Sequence, residues 1–248
     1  MKTTSCLARQ FARHGELDAA DVEALEDVER EPIAVSAGEV LRTQGSPFSD
    51  LVVVREGWTA TWYELGDGNR QVVFVHVSGD IAGLHDLPFE DAITTTVALT
   101  DATVCRMPRR RLTQLVERSP RIAAILLTIQ LQQQAILVER LVSLGCRSAI
   151  RRTAHLILEL DRRRREAVVA PGSGIPLSQR QLADCLGLTE VHVNRCIRQL
   201  KEARAIAVGR NRLDVIDADA LSRFARFDPS FLEPSIEYLG GRPEPERI

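Results

Sequence analysis

Residues 177–202 read LSQRQLADCLGLTEVHVNRCIRQLKE, and no other stretch of the chain restricts its local structure so tightly. Ser178 with Gln181 three residues on is a capping box, in which each side chain satisfies a backbone N–H at a helix start. The helix that follows should run to Leu186, where Gly187 can take the left-handed conformation that ends a helix without a Cβ clash. Thr189 can cap a second helix whose inward stripe is Val193, Cys196 or Ile197, and Leu200. Two short helices across a tight glycine-containing turn form a helix-turn-helix.

The second helix of such a unit places its N-terminal face in the major groove of DNA. Here that face carries Glu190, Val191, Asn194 and Arg195. Arginine pairs bidentately with a guanine edge, glutamate accepts from cytosine, and valine touches a thymine methyl. Ser178, Gln179 and Arg180 at the first helix start, and Thr189 at the second, suit phosphate oxygens. His192 is expected beside the groove face or on a phosphate rather than at a metal. Downstream, IAVGRNRLDVI reads as two short strands around a basic turn, and Arg210, Asn211 and Arg212 would grip the flanking backbone as a wing.

Charge points the same way without deciding it. The formal charge of −2 hides a split: residues 1–146 carry 14 basic and 20 acidic groups, 147–212 carry 14 and 6, and the remainder 4 and 8. A basic block between acidic ends suits a polyanionic partner for the middle only, although a solvated arginine-rich helix gives the same count. The five cysteines never form a C-x-x-C pair, which argues for reduced thiols and against a disulfide scaffold, a zinc site or an iron–sulfur cluster. The N-terminus turns acidic early and lacks an apolar core, unlike a signal peptide. The most apolar run, IAAILLTIQL (122–131), is about half the roughly 20 residues of a membrane span. A cytoplasmic protein with no membrane partner is expected.

The rest of the chain divides by texture. Residues 7–30 suit one or two short helices capped by Asp18 or Asp21. Between Pro32 and Met107, runs such as DLVVVREG, WTATWYEL, RQVVFVHVSG and AITTTVALT alternate with glycines, and ELGDGNRQ is a hairpin signal. Several short strands at even spacing imply a small antiparallel roll. RRRLTQLVERSP should be a helix that stops at Pro120. A long helix then follows, with Ile122, Leu126, Ile129, Gln133, Ile136 and Arg140 at alternating steps of four and three. That is a heptad seam, which can pair two copies of the chain or pack on the chain's own roll; pairing is the favoured reading, because Ile125, Leu137 and Leu141 can face the roll instead. The fold class is therefore α+β. Four parts are expected: N-terminal helices and antiparallel β-roll (1–120), dimerisation helix (121–145), winged helix-turn-helix (146–217), and a C-terminal helical extension and tail (218–248) whose Leu221, Phe224 and Phe227 share one side.

With these elements in order, residues 30–217 resemble the Crp/Fnr family of bacterial transcription regulators. The resemblance rests on GEVLRTQGSPFSDLVVVREG, VSGDIAGLHDLPF, the long helix after RSP, and LSQRQLADCLGLTEVHVNRCIRQL. It implies a roll like a cyclic-nucleotide-binding domain, and a homodimer whose paired helices present two recognition helices to a palindromic duplex. It also implies RNA polymerase as a partner. The chain departs from the nucleotide-binding members, which carry a Glu after the GD..G turn and an Arg-Ser pair beyond it. Leu84 stands in the first place and Ile93 and Thr94 in the second, and the long helix offers Leu137 and Val138 where those members use hydroxyls. A phosphate buried without its arginine is costly, so no tight cyclic AMP binding is expected in this possible effector pocket.

Oxygen-sensing members need a cluster of N-terminal cysteines, and only Cys6 is there. Haem-binding members have an axial His in the loop matching AGLHD, where His85 falls; a lone His is more often structural, so no cofactor is expected. Cys185 and Cys196 lie in the helix-turn-helix and raise a thiol-based redox reading, but thiols on an apolar stripe are usually inert. A cupin-type metal enzyme would need an H-x-H pair, and neither that nor a catalytic triad, phosphate loop or carboxylate pair is present. A docking module that binds no DNA is the remaining alternative.

Overall fold

A computed structural model describes residues 5–167, 169, 174–209 and 212–234. Two short helices open the chain, α1 (Cys6–Ala12) and α2 (Ala19–Val28), and Asp18 caps the second in a full capping box with Asp21. Eight strands follow: β1 (Pro32–Val35), β2 (Val40–Arg42), β3 (Asp50–Glu56), β4 (Thr59–Glu64), β5 (Arg70–His76), β6 (Ile81–Ala82), β7 (Thr95–Ala98) and β8 (Ala102–Pro108). They form two four-stranded antiparallel sheets, ordered β1-β8-β3-β6 and β2-β7-β4-β5, the expected roll. The β4–β5 hairpin turns at Gly68, whose φ of 84° explains a glycine there.

After the roll come α3 (Arg109–Arg118) and α4 (Pro120–Cys146), separated by Ser119. The Ser119 hydroxyl accepts from the Ile122 N–H and Pro120 takes the first helical position, where its missing N–H costs nothing. Leu7, Phe11 and Leu25 of the N-terminal helices pack with Leu51 and Val53 of β3, Met107 of β8, and Ile122, Ile125 and Ile129 of α4. By length and composition alone α4 could also cross a bilayer. Its inward face, however, is the wall of this core.

That packing corrects the expected dimer seam. Ile122, Ile129, Gln133 and Ile136 are buried within their own chain, Leu126 packs half-buried on the same core, and Arg140 is held inside by Glu159 Oε1 at 3.0 Å. The four most exposed large apolar positions of α4 are Leu127, Leu131, Val138 and Leu141, at 50, 43, 54 and 71%. They keep heptad spacing, five residues on from Ile122, Leu126, Gln133 and Ile136, which turns them about 140° around the helix. Leu137 and Leu141, expected against the roll, are exposed instead. Two apolar stripes therefore share α4, and Arg140 lies on the inner one because Glu159 of α5 supplies its partner.

The C-terminal domain contains α5 (Ala149–Glu166), α6 (Gln179–Leu186), α7 (Glu190–Glu202), a hairpin of β9 (Ile206–Gly209) and β10 (Arg212–Val215), and α8 (Ala218–Ala225). Leu156, Ile157 and Leu160 of α5 meet Leu182, Val193, Ile197 and Leu200 of the helix pair and Leu213 of the hairpin. Ala220, Leu221 and Ala225 of α8 join the same core, so this domain reaches past the expected boundary at 217. The core is also continuous with Trp58, Trp62 and Val75 of the roll.

Candidate nucleic-acid interface

The local rules that suggested a helix-turn-helix act as expected. Ser178 Oγ accepts from the Gln181 N–H, and Gln181 Oε1 accepts from the Ser178 N–H in return. Gly187 ends α6 with φ 59° and ψ 41°, and Thr189 Oγ1 accepts from the His192 N–H to start α7. Val193, Cys196, Ile197 and Leu200 are buried, so α7 cannot rotate without losing its packing. The opposite face is thereby fixed outward. Glu190, Val191, His192, Asn194 and Arg195 are all exposed, as are Ser178, Gln179 and Arg180 at the start of α6.

These side chains differ in their freedom. Asn194 Nδ2 donates to Gln179 Oε1 at 3.1 Å, tying the two helices together across the outward face. His192 Nδ1 lies 3.1 Å from Thr189 Oγ1, which occupies its ring beside the cap. Arg195 has no ion-pair partner among the described residues. On the hairpin, Arg212 is exposed with its Nε 3.1 Å from Asp214 Oδ2, while Arg210 and Asn211 lie outside the described residues. Cys185 and Cys196 are both buried, and burial pushes the Cys185 thiol up to about 12.

The expected effector residues do not gather into one open site. Leu84 and Thr94 are buried in the roll, His85 is half-buried, and Ile93, Leu137 and Val138 are exposed. The interior beside them is a polar network in which Arg42 Nε alone of the buried side-chain atoms is left without a partner among the described residues. Arg42 Nη2 donates to Asp86 Oδ2 at 3.0 Å and to Thr96 Oγ1 at 3.3 Å, and its Nη1 donates to the Asp50 carbonyl at 2.9 Å. Thr94 Oγ1 donates to Asp86 Oδ2 at 3.3 Å, while the Ile93 N–H donates to Asp86 Oδ1 at 3.0 Å. His85 Nε2 sits 2.9 Å from Thr94 Oγ1, and its ring centroid is 5.4 Å from that of Phe74. Burial lowers the pKa of His85 against the opposing pull of Asp86, and drives that of fully buried His76 well down.

Contacts between the two halves escaped sequence reasoning. Arg70 Nε of β5 meets Asp184 Oδ2 of α6 at 2.7 Å, and Gln71 Nε2 donates to the Cys185 carbonyl at 3.1 Å. Arg163 of α5 pairs with Asp80 of the roll at 2.8 Å. Beyond α8, Gln132 Nε2 of α4 donates to the Leu232 carbonyl at 2.7 Å, and Phe227 and Phe231 pack on His155 with ring centroids 4.8 and 5.7 Å away. Partners more than 60 residues apart leave no local signal. The Arg42–Asp86 pair left only a faint one, a charged residue at the end of a short strand.

Comparison with known proteins agrees with this geometry. Residues 151–224 match the Crp-like helix-turn-helix domain, and residues 32–119 match the cyclic nucleotide-binding domain. The nitrogen fixation regulation protein FixK of Rhizobium meliloti is 31% identical over 193 residues, 74% of this chain and 82% of its own. The transcriptional activator protein anr of Pseudomonas aeruginosa is 23% identical over 210 residues, 84% of this chain and 86% of its own. The structure of FixK2 from Bradyrhizobium japonicum superposes with a TM-score of 0.70 at 24% identity, covering 80% of this chain and 98% of that one. The two matched domains and these relatives show that the chain belongs to the Crp/Fnr family of transcriptional regulators.

Proposed function

We propose that this regulator acts in the cytoplasm as a homodimer on a palindromic site in double-stranded DNA, without a cyclic nucleotide, haem or iron–sulfur cluster. The observation that carries the reading is the outward face of α7, where Glu190, Val191, Asn194 and Arg195 stand exposed over a buried stripe that fixes their direction. Arg195 reads a guanine in each half-site, its neighbours discriminate adjacent pairs, and Ser178, Gln179, Arg180, Arg210 and Arg212 hold the backbone. The exposed stripe of Leu127, Leu131, Val138 and Leu141 is the pairing face. Pairing there sets the half-sites about one DNA turn apart, near 34 Å. Relatives named as transcriptional activators support RNA polymerase as the partner at the promoter.

The buried network argues against the ligands that the roll resembles in shape. A cyclic nucleotide would bring a phosphate to an interior whose arginine is committed to Asp86, where Leu84 offers the ribose no acceptor. His85 is read as a structural group, because Thr94 occupies the nitrogen that would hold haem iron. A redox switch at Cys185 or Cys196 is disfavoured by their burial.

Selection from randomised duplexes tests the DNA reading. The wild type should enrich an inverted repeat, and Arg195→Ala should lose about 1–3 kcal/mol of affinity and relax one base position per half-site. Affinity should also fall steeply with salt, as several arginine–phosphate contacts require and a protein-docking role does not. An unchanged motif in Arg195→Ala would remove the assigned role.

A further inference from the structure

A small pocket of about 40 Å³ lies where α1, the roll, α4, α5 and the segment after α8 meet. His14, just past α1, forms part of its wall and is 7% exposed, yet neither ring nitrogen has a hydrogen-bond partner among the described residues. Gln133 of α4 also lines it at 9% exposure, and its amide makes no hydrogen bond among the described residues. A buried donor or acceptor left unpaired is expensive, as both ring nitrogens of His14 are, and the Gln133 amide lines the same space. Neutral imidazole and carboxamide each offer a donor and an acceptor. Burial lowers the pKa of His14, which keeps it in that neutral form.

The charges around the pocket are already cancelled. Arg13 pairs with Glu166 at 2.8 Å, and Arg163 pairs with Asp80 at 2.8 Å. An ion entering would find no spare counter-charge and would lose its hydration. Val77, Ile129 and Ile136 give the pocket an apolar side. We propose that this junction binds a small uncharged molecule with a hydrogen-bond donor beside an acceptor, of which a carboxamide is the simplest, held between His14 and Gln133. The site is separate from the interior of the roll, and its occupancy does not depend on what α7 reads.

The test follows the His14 ring resonances of the isotopically labelled full-length protein while propionamide is added, with propionate and propylammonium as charged isosteres. Propionamide should shift His14 saturably and raise the melting temperature, and neither ion should do so. Gln133→Leu, which keeps the reporter ring, should weaken the response at least about tenfold, as loss of a buried hydrogen-bond partner implies. His14→Phe, read by melting alone, should abolish the stabilisation by propionamide. No saturable shift, an equal response to propionate, or an unchanged response in Gln133→Leu overturns the proposal. So does a His14→Phe protein that propionamide still stabilises as it does the wild type.

Discussion

The outer stripe of α4 makes a quantitative demand on assembly. Leu141 is 71% exposed in the isolated chain. Full burial of a leucine side chain is worth about 1.5–3 kcal/mol, so its remaining exposure corresponds to about 1–2 kcal/mol per protomer. Two-fold symmetry applies the loss twice, and Leu141→Ala should weaken the dimer by about 2–4 kcal/mol, roughly 30- to 1,000-fold in dissociation constant. Sedimentation equilibrium across a concentration series reads this directly. The matched control is Ile136→Ala on the inner stripe, which should cost about 2–5 kcal/mol of folding stability while leaving the dissociation constant of the folded protein nearly unchanged. Should Ile136→Ala loosen the dimer while Leu141→Ala leaves it alone, the pairing face assigned here is the wrong one.

The roll and its histidines supply two further tests. Asp86→Ala strands the buried Arg42 guanidinium and should destabilise the protein by about 3–5 kcal/mol in chemical denaturation, while calorimetry with cyclic AMP gives no micromolar binding to the wild type. A loss below about 1 kcal/mol would mean that water already reaches the pair. His14, His76, His85 and His155 all have their pKa lowered by burial, from an ordinary value of 6.5. Below that value the unfolded chain binds protons that the folded one refuses, so stability should fall as pH drops from about 7 to 5. His76→Asn should flatten the slope, and an equal slope in that variant would exclude His76 as a contributor.

Much of the candidate site was legible because its determinants are local. A capping box at Ser178 and Gln181, a left-handed Gly187 and a Thr189 cap act within a few residues, and the helical repeat then decides which side chains share the outward face. The strands of the roll were legible for a similar reason, since alternation and glycine turns act over short spans. The long helix was misread. Its two apolar stripes both keep heptad spacing, and the interruptions at Gln133 and Arg140 resembled the polar residues that set register between paired helices. Glu159, which holds Arg140, lies in another helix and becomes its neighbour only when the chain folds.

By itself, then, the sequence determined the kind of elements, their order, and the outward chemistry of α7, since hydrogen bonds and side-chain periodicity within one segment decide those. Only the tertiary structure decided which face of α4 stays exposed, that Arg42 closes on Asp86 inside the roll, and that α6 rests on β5 through Arg70 and Asp184. Each of these is a choice between faces or partners of similar local energy. It is settled by burial and charge pairing between segments far apart in the chain.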